Sequence, residues 1–241
     1  MLSVFTHNIR TGRRFNFIKV GDGELDCMRG HGEKNCDGQP YSSELAEHLV
    51  WAFTSLCRKP HTFFGDWFAS NPPKNVAGYA RYQFFHTLCK QHAVKPCLLR
   101  PFELLLPGWG NLAAPSLLGF YAAVQASTRN KVFVGPEVLR GACTFIRATA
   151  HVVVPKRDAW VEHERIIKEA VNAAGRQAIV VLACGPMSPV VANHVLNASP
   201  ASTVLDVGSG FDPLFIGRTR GGGQARPAAV KKYFHTLLSG S

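Results

Sequence analysis

Phe15-Asn16-Phe17-Ile18-Lys19-Val20-Gly21-Asp22-Gly23-Glu24-Leu25 is an apolar run that stops at two glycines and two carboxylates. Phe17, Ile18 and Val20 favour a buried strand, and Gly21 and Gly23 permit a tight turn at its end. In an open α/β sheet, ligands sit beyond the carboxyl ends of the strands, where this turn falls. Asp22 and Glu24, spaced i, i+2 on that turn, are oxygen ligands suited to a hard divalent cation.

Working outward, Arg10, Arg13 and Arg14 form a basic lead-in. A polar, glycine-rich loop from Gly30 to Pro40 follows the turn, either as plain surface or as a substrate contact. Ser42 or Ser43 then caps a helix in which Leu45, Leu49, Phe53 and Leu56 recur at helical spacing. His61–Phe64 reads as a second strand ending near Asp66, Val76–Gln91 as a helix and Cys97–Leu99 as a short strand. Phe102–Asn111 is irregular, and Pro115 opens a helix to about Ser127.

Thereafter strand and helix alternate plainly. Lys131–Val134, His151–Val154, Ala178–Ala183 and Val204–Val207 are strands. The helices between them are Glu137–Ala148, one capped by Asp158 and ended by Gly175, and one around Pro189–Leu196. Gly185-Pro186 turns the most apolar strand into a helix, a natural place for a phosphate. The expected fold is α/β: a doubly wound, mostly parallel, Rossmann-like sheet with helices on both faces. Residues 1–215 form a single domain, and 216–241 a basic C-terminal segment with a short helix, Pro227 to Leu238. Trp51, Phe53, Phe63, Phe64, Tyr79, Phe85 and Phe120 read as core.

The chain has 241 residues, 46% of them hydrophobic and 18% charged, enough for an ordinary core and too apolar for disorder. The formal net charge of +11 suggests a polyanionic partner. Seven cysteines without C-x-x-C pairing argue against a disulfide framework or zinc knuckle and for reduced, cytoplasmic thiols. Met1 to Arg14 lacks a signal-peptide core, and Pro107, Gly108, Gly110, Asn111 and Pro115 break the uncharged Leu104–Ala126 stretch. No membrane association is expected.

Ile18-Lys19-Val20-Gly21-Asp22-Gly23-Glu24-Leu25 resembles the opening signature of the GT-D-fold glycosyltransferases, in which a strand runs into an R-x-G-D-G-E-[LF]-like turn. Val132–Pro136, Val154–Trp160, Val180–Pro186 and Leu205–Ser209 are similar to later family segments and occur in the family's order, covering most of residues 15–215. Lys19 stands where the family usually has Arg, keeping the charge but losing a bidentate fork. The resemblance implies that Asp22 and Glu24 bind a divalent metal, Mn or Mg, which carries the diphosphate of a nucleotide-sugar donor. Lys19, Gly21, Gly23, Gly185, Pro186, Asp206 and Gly208 would then line the donor site. If transfer inverts the sugar, a general base is needed, and Asp66 and Asp212 are candidates by their place at strand ends.

Two other classes compete. Val204–Asp212 resembles the first motif of S-adenosylmethionine-dependent methyltransferases, but only 29 residues follow it, too few for the sheet that motif normally opens. A non-catalytic nucleic-acid-binding module suits the charge, yet no helix-turn-helix, zinc-finger or RRM signature is present. For a glycosyltransferase, strong positive charge favours DNA with hydroxymethylated pyrimidines as acceptor, as in phage DNA modification, held by Arg10, Arg13, Arg14, Lys156, Arg157, Arg218, Arg220 and Arg226. The alternative is a bacterial glycan or glycoprotein.

Overall fold

The computed structural model describes residues 1–35, 38–65, 75–99, 114–217 and 234–238. Its centre is one seven-stranded, all-parallel sheet in the order β3-β2-β1-β7-β6-β4-β5. The strands are β1 (Asn16–Lys19), β2 (Thr62–Gly65), β3 (Cys97–Leu99), β4 (Asn130–Pro136), β5 (Ala150–Val154), β6 (Ala178–Leu182) and β7 (Thr203–Asp206). Period-two alternation divides their side chains between two cores. Ile18, Val132, Val134, Val180, Leu182 and Val204 face one core. Phe17, Phe133, Ile179, Val181 and Leu205 face the other.

The first core is closed by α2 (Asp22–Met28), α3 (Ser43–Cys57), α4 (Val76–Gln91), α7 (His163–Ala174) and α8 (Ser188–Ala198). The second is closed by α1 (Leu2–Arg10), α5 (Ala114–Ala126), α6 (Gly141–Ile146), α9 (Asp212–Phe215) and α10 (His235–Leu238). This is the doubly wound α/β architecture read from the sequence. No helix among the described residues is long and apolar enough to cross a membrane.

Several local readings change. Ahead of Arg13 and Arg14, residues Leu2–Arg10 form the amphipathic helix α1, whose Phe5 and Ile9 are buried and whose Phe5 stacks on Phe15 at 4.2 Å. Asp22 and Glu24 lie not on a turn but in the first turn of α2, with Gly21 as its N-cap. Asp158 does not cap a helix through its side chain; it sits in the left-handed region (φ 51°). Its carboxylate instead accepts from Gln39 Nε2 at 2.9 Å. Ser42 caps α3 as expected, accepting from the Leu45 N–H at 3.1 Å. Trp51 and Tyr79 are surface residues, 42% and 46% exposed, and so lie outside the core. At the C-terminus, Phe234 is buried against Tyr121 and Phe145, so the end of the basic segment is packed onto the domain. The rest of the expected Pro227–Leu238 helix, up to residue 233, lies outside the described residues.

Candidate active site

Because all strands are parallel, the ends of β1 and β7 and the turns after them converge on one edge of the sheet. The β1 turn continues into α2. Gly21 has no side chain to cap with, but Glu24 at the third helical position reaches back and accepts its N–H at 2.8 Å. That contact draws the Glu24 carboxyl toward the sheet. Asp22 stays exposed, with its Oδ1 on the Gly23 N–H at 3.1 Å. Residues two apart on a helix project about 200° from one another, so the sequence pair is divided. The charges of Glu24 and Asp22 both reach Tyr41, that of Asp22 also reaches Arg81, and Glu24 lies with Asp206 and Lys19.

Asp206, the last residue of β7, is 2% exposed. Its Oδ2 accepts from the Lys19 backbone N–H at 3.1 Å and its Oδ1 from the Gly208 N–H at 3.0 Å. Burial pushes its carboxyl up to about 6, against the opposing pull of Lys19. Glu24 is pushed up to about 7, by burial first and by the negative charge of Asp206 second. The Lys19 side chain lies across Gly208, where a Cβ would come within 2.5 Å of Nζ. Gly208 also has φ +49°, so this turn requires glycine twice over.

Asn35 and Tyr41, from the loop before α3, cover the centre. A Cβ on Gly23 would meet Asn35 Cβ at 3.5 Å, Pro186 Cγ at 3.8 Å and the Tyr41 hydroxyl at 3.9 Å. One on Gly185 would meet Asn35 Nδ2 at 3.9 Å. The glycine turns after β1 and β6 are thus close enough to share one covering side chain. Beside them Cys184 is buried, its thiol pushed up to about 12 by burial, with Sγ 3.3 Å from Ser188 Oγ.

Lys19, Gly21, Gly23, Glu24, Gly185, Pro186, Asp206 and Gly208 therefore lie together, with Asp22 at the exposed end of the same turn. Asp212, by contrast, is 5% exposed in the first turn of the short α9, a poor position from which to reach an acceptor hydroxyl. Asp66 lies outside the described residues, as do Arg218, Arg220 and Arg226. Arg10, Arg13 and Arg14 precede β1 and belong to the opposite edge of the sheet, where Arg14 Nη1 donates to the Pro200 carbonyl at 2.6 Å. They share no groove with Asp22. Lys156 and Arg157, after β5, are on the site's edge.

Sequence reading missed Asn35, Gln39 and Tyr41 as individuals, although it marked the Gly30–Pro40 loop that holds the first two. Gln39 is 5% exposed and fastens that loop. Its Nε2 donates to Asp158 Oδ1 at 2.9 Å and to the Pro40 carbonyl at 3.1 Å, and its Oε1 accepts from the Trp160 N–H at 3.1 Å.

Fold and site define a doubly wound α/β protein with an acidic centre at the carboxyl edge of its sheet. No family model matches the chain, and no curated protein does. Among solved structures it is similar to a selenomethionine-substituted domain of unknown function 1792, with TM-score 0.58 and 16% identity over 86% of this chain and 76% of that one. It is also similar to a structure described by the statement that this highly conserved domain has a distinct glycosyltransferase fold (TM-score 0.56, 17% identity, 86% and 76% covered). At such identities the likeness is one of fold. The chain has a glycosyltransferase fold.

Proposed function

We propose that this protein is a glycosyltransferase that moves a sugar from a nucleotide-sugar donor to a hydroxyl acceptor with the help of a divalent cation, manganese or magnesium. The observation that carries the reading is the half-buried Glu24 beside the buried Asp206, next to Lys19, at the edge of a glycosyltransferase fold. Among the described residues no three acidic, His or Cys side chains converge as a metal cage. That fits a small hard cation, which commonly takes one or two carboxylates and completes its shell with substrate phosphates and water. The residues that suit it are Glu24 and Asp206, two desolvated carboxylates whose repulsion a bound cation would relieve in place of a retained proton. Bound there, such a cation supplies a Lewis acid that offsets the charge on a departing diphosphate.

The chain's own residues do the remaining work. Lys19, held over Gly208, adds fixed positive charge at the same place. The backbone N–H groups of Lys19 and Gly208 fix both oxygens of Asp206, so its orientation is set before substrate arrives. Asn35 and Tyr41 narrow the entrance and limit water.

For the acceptor, the net charge of +11 supports a polyanion, and DNA carrying hydroxymethylated pyrimidines is the reading we adopt. Lys156 and Arg157 support it from the site's edge. The methyltransferase alternative loses support, because all seven strands end before residue 207 and nothing is built behind the Gly208 turn but helices among the described residues. The test is incubation of the protein with a nucleotide-sugar panel and manganese, with hydroxymethylated DNA and a bacterial glycan as rival acceptors, followed by mass spectrometry. Sugar-adducted nucleosides support the DNA reading. Adducts on the glycan alone move the acceptor to the other class.

A further inference from the structure

The charge of this molecule is sorted by the ends of its strands. Because the sheet is all parallel, every segment that leads into a strand lies at the amino edge, the side away from Glu24 and Asp206. Those segments are residues 10–15, 58–61, 92–96, 127–129, 147–149, 175–177 and 199–202, and none of them holds an Asp or Glu. All but the last carry Lys or Arg. The acids among the described residues lie at the carboxyl ends of strands, or in the helices and loops that follow them.

Contacts on this edge do not neutralise it. Arg14 Nη1 donates to the Pro200 carbonyl at 2.6 Å, Arg58 Nη2 to the His92 carbonyl at 3.1 Å and Arg129 Nη2 to the Ala178 carbonyl at 2.7 Å. These partners carry no formal charge. The arginine ion pairs among the described residues belong to Arg29, Arg81, Arg140 and Arg165, none of which leads into a strand.

The cations are spread in two dimensions. Arg10 ends α1 and Arg147 follows α6 in one helical layer; Arg58 follows α3 and Arg176 follows α7 in the other. Arg13 and Lys95 stand just before β1 and β3, and all six side chains are exposed. Seven strands at a spacing of about 4.8 Å make this field about 29 Å wide. A threadlike polyanion follows a stripe or groove, and a single strand stacks its bases on aromatic rings. None of the exposed large apolar side chains, aromatic or aliphatic, is in these segments. A broad cationic field without aromatics is complementary to a flat anionic surface.

We infer that the amino edge of the sheet docks this protein on an anionic membrane surface, with lipid phosphates as its partner and the carboxyl edge turned away. Clusters of roughly four to eight Lys or Arg are drawn to the negative potential of such a surface. No helix among the described residues is long and apolar enough to cross a bilayer, so the attachment is electrostatic and salt screens it. The expectation of no membrane association rested on apolar segments; attachment by surface charge needs none. Docking is independent of the sugar-transfer reading.

The test is flotation of the full chain with vesicles of phosphatidylcholine alone and of phosphatidylcholine with phosphatidylglycerol, at low and at high salt. Wild type is compared with an amino-edge variant, Lys95→Glu/Arg147→Glu/Arg176→Glu. The control, Lys34→Glu/Lys156→Glu/Arg157→Glu, makes the same change in net charge at positions that follow strands. All six side chains are exposed, so folding should survive, and circular dichroism checks it. Wild type should float with the anionic vesicles only and be released by high salt. The amino-edge variant should bind them at least about a hundredfold more weakly, and the control should stay much closer to wild type. Equal losses in the two variants would reduce the effect to overall charge and overturn the docking edge. So would equal binding to neutral vesicles, or no vesicle binding by wild type. An unmodified DNA duplex is run in parallel by filter binding. If wild type ignores vesicles and the amino-edge variant alone loses the duplex, the edge belongs to nucleic acid and the membrane reading falls.

Discussion

Glu24 and Asp206 are held where water reaches them poorly, and the charge of Asp206 raises the cost of charging Glu24. The consequence is a dependence of stability on pH with a definite sign. The Glu24 carboxyl is raised from 4.5 to about 7 in the folded chain, so folding takes up a proton across that window. Stability then falls as pH rises from about 4.5 to 7 and levels off above, by an amount on the order of 3 kcal/mol. Glu24→Gln keeps an oxygen for the Gly21 N–H but cannot ionise. Urea titrations in chelator should show it flatter across this window and more stable than wild type at pH 8. Adding manganese at pH 8 should raise the midpoint of wild type and not of the variant. Gly208→Ala is a different kind of probe. It puts alanine at φ +49° and drives its Cβ against Lys19 Nζ; the left-handed backbone alone should cost about 1–2 kcal/mol. Turnover should nevertheless fall at least about tenfold, because Lys19 leaves the carboxylate pair. Unchanged turnover would remove Lys19 from the chemistry.

At the scale of elements, the site depends on how α2 is clamped. Asp26, on α2, is 8% exposed and accepts from Arg81 of α4 through Nε at 2.8 Å and Nη2 at 2.5 Å, and from Arg29 at 3.2 Å. Arg81→Leu would leave that buried charge with Arg29 alone and should cost about 3 kcal/mol. The exposed Arg165, paired with Glu162 and Glu169, is a control: Arg165→Ala should cost less than about 1 kcal/mol. Equal shifts in urea midpoint would contradict the distinction. α2 is also where the sequence was least legible. Two glycines around Asp22 read as a turn, yet Gly21 is a cap and Gly23 is helical, stabilised by the Glu24 carboxyl and the clamp on Asp26. Local propensity argued for a loop; tertiary contacts made a helix. α1 was missed for a similar reason, its stripe of Phe5 and Ile9 being too short to stand out against three arginines.

At the scale of the molecule, the strand ends from β4 onward were legible because apolar β-runs alternate there with helical stretches punctuated by Gly175, Gly185-Pro186 and Pro189. The edge of the sheet that carries the chemistry followed from that parallel order alone. What could not be read was which residues meet across it. Asp22 and Glu24 are two residues apart in sequence and part on the helix, while Glu24 and Asp206 are far apart in sequence and meet at the strand ends. The positive charge is divided in the same way, with Arg10, Arg13 and Arg14 at one edge and Lys156 and Arg157 at the other. Binding of hydroxymethylated DNA should weaken with salt at about −0.9 in log affinity per log salt for each phosphate contact. Arg10→Ala/Arg13→Ala should leave that slope unchanged in filter-binding measurements. A flattened slope would show that the acceptor wraps to the far edge.

The central claim is that Glu24 and Asp206 form the working pair of a cation-dependent sugar-transfer centre. Its most direct measurement is release of nucleoside diphosphate from a nucleotide-sugar panel in manganese, by wild type, Asp22→Asn, Glu24→Gln and Asp206→Asn. At least one donor should be turned over by wild type and abolished by chelator, with Glu24→Gln and Asp206→Asn each losing at least about a hundredfold and Asp22→Asn much less. Full activity in either of those two variants, or no turnover of any donor by wild type, would contradict it.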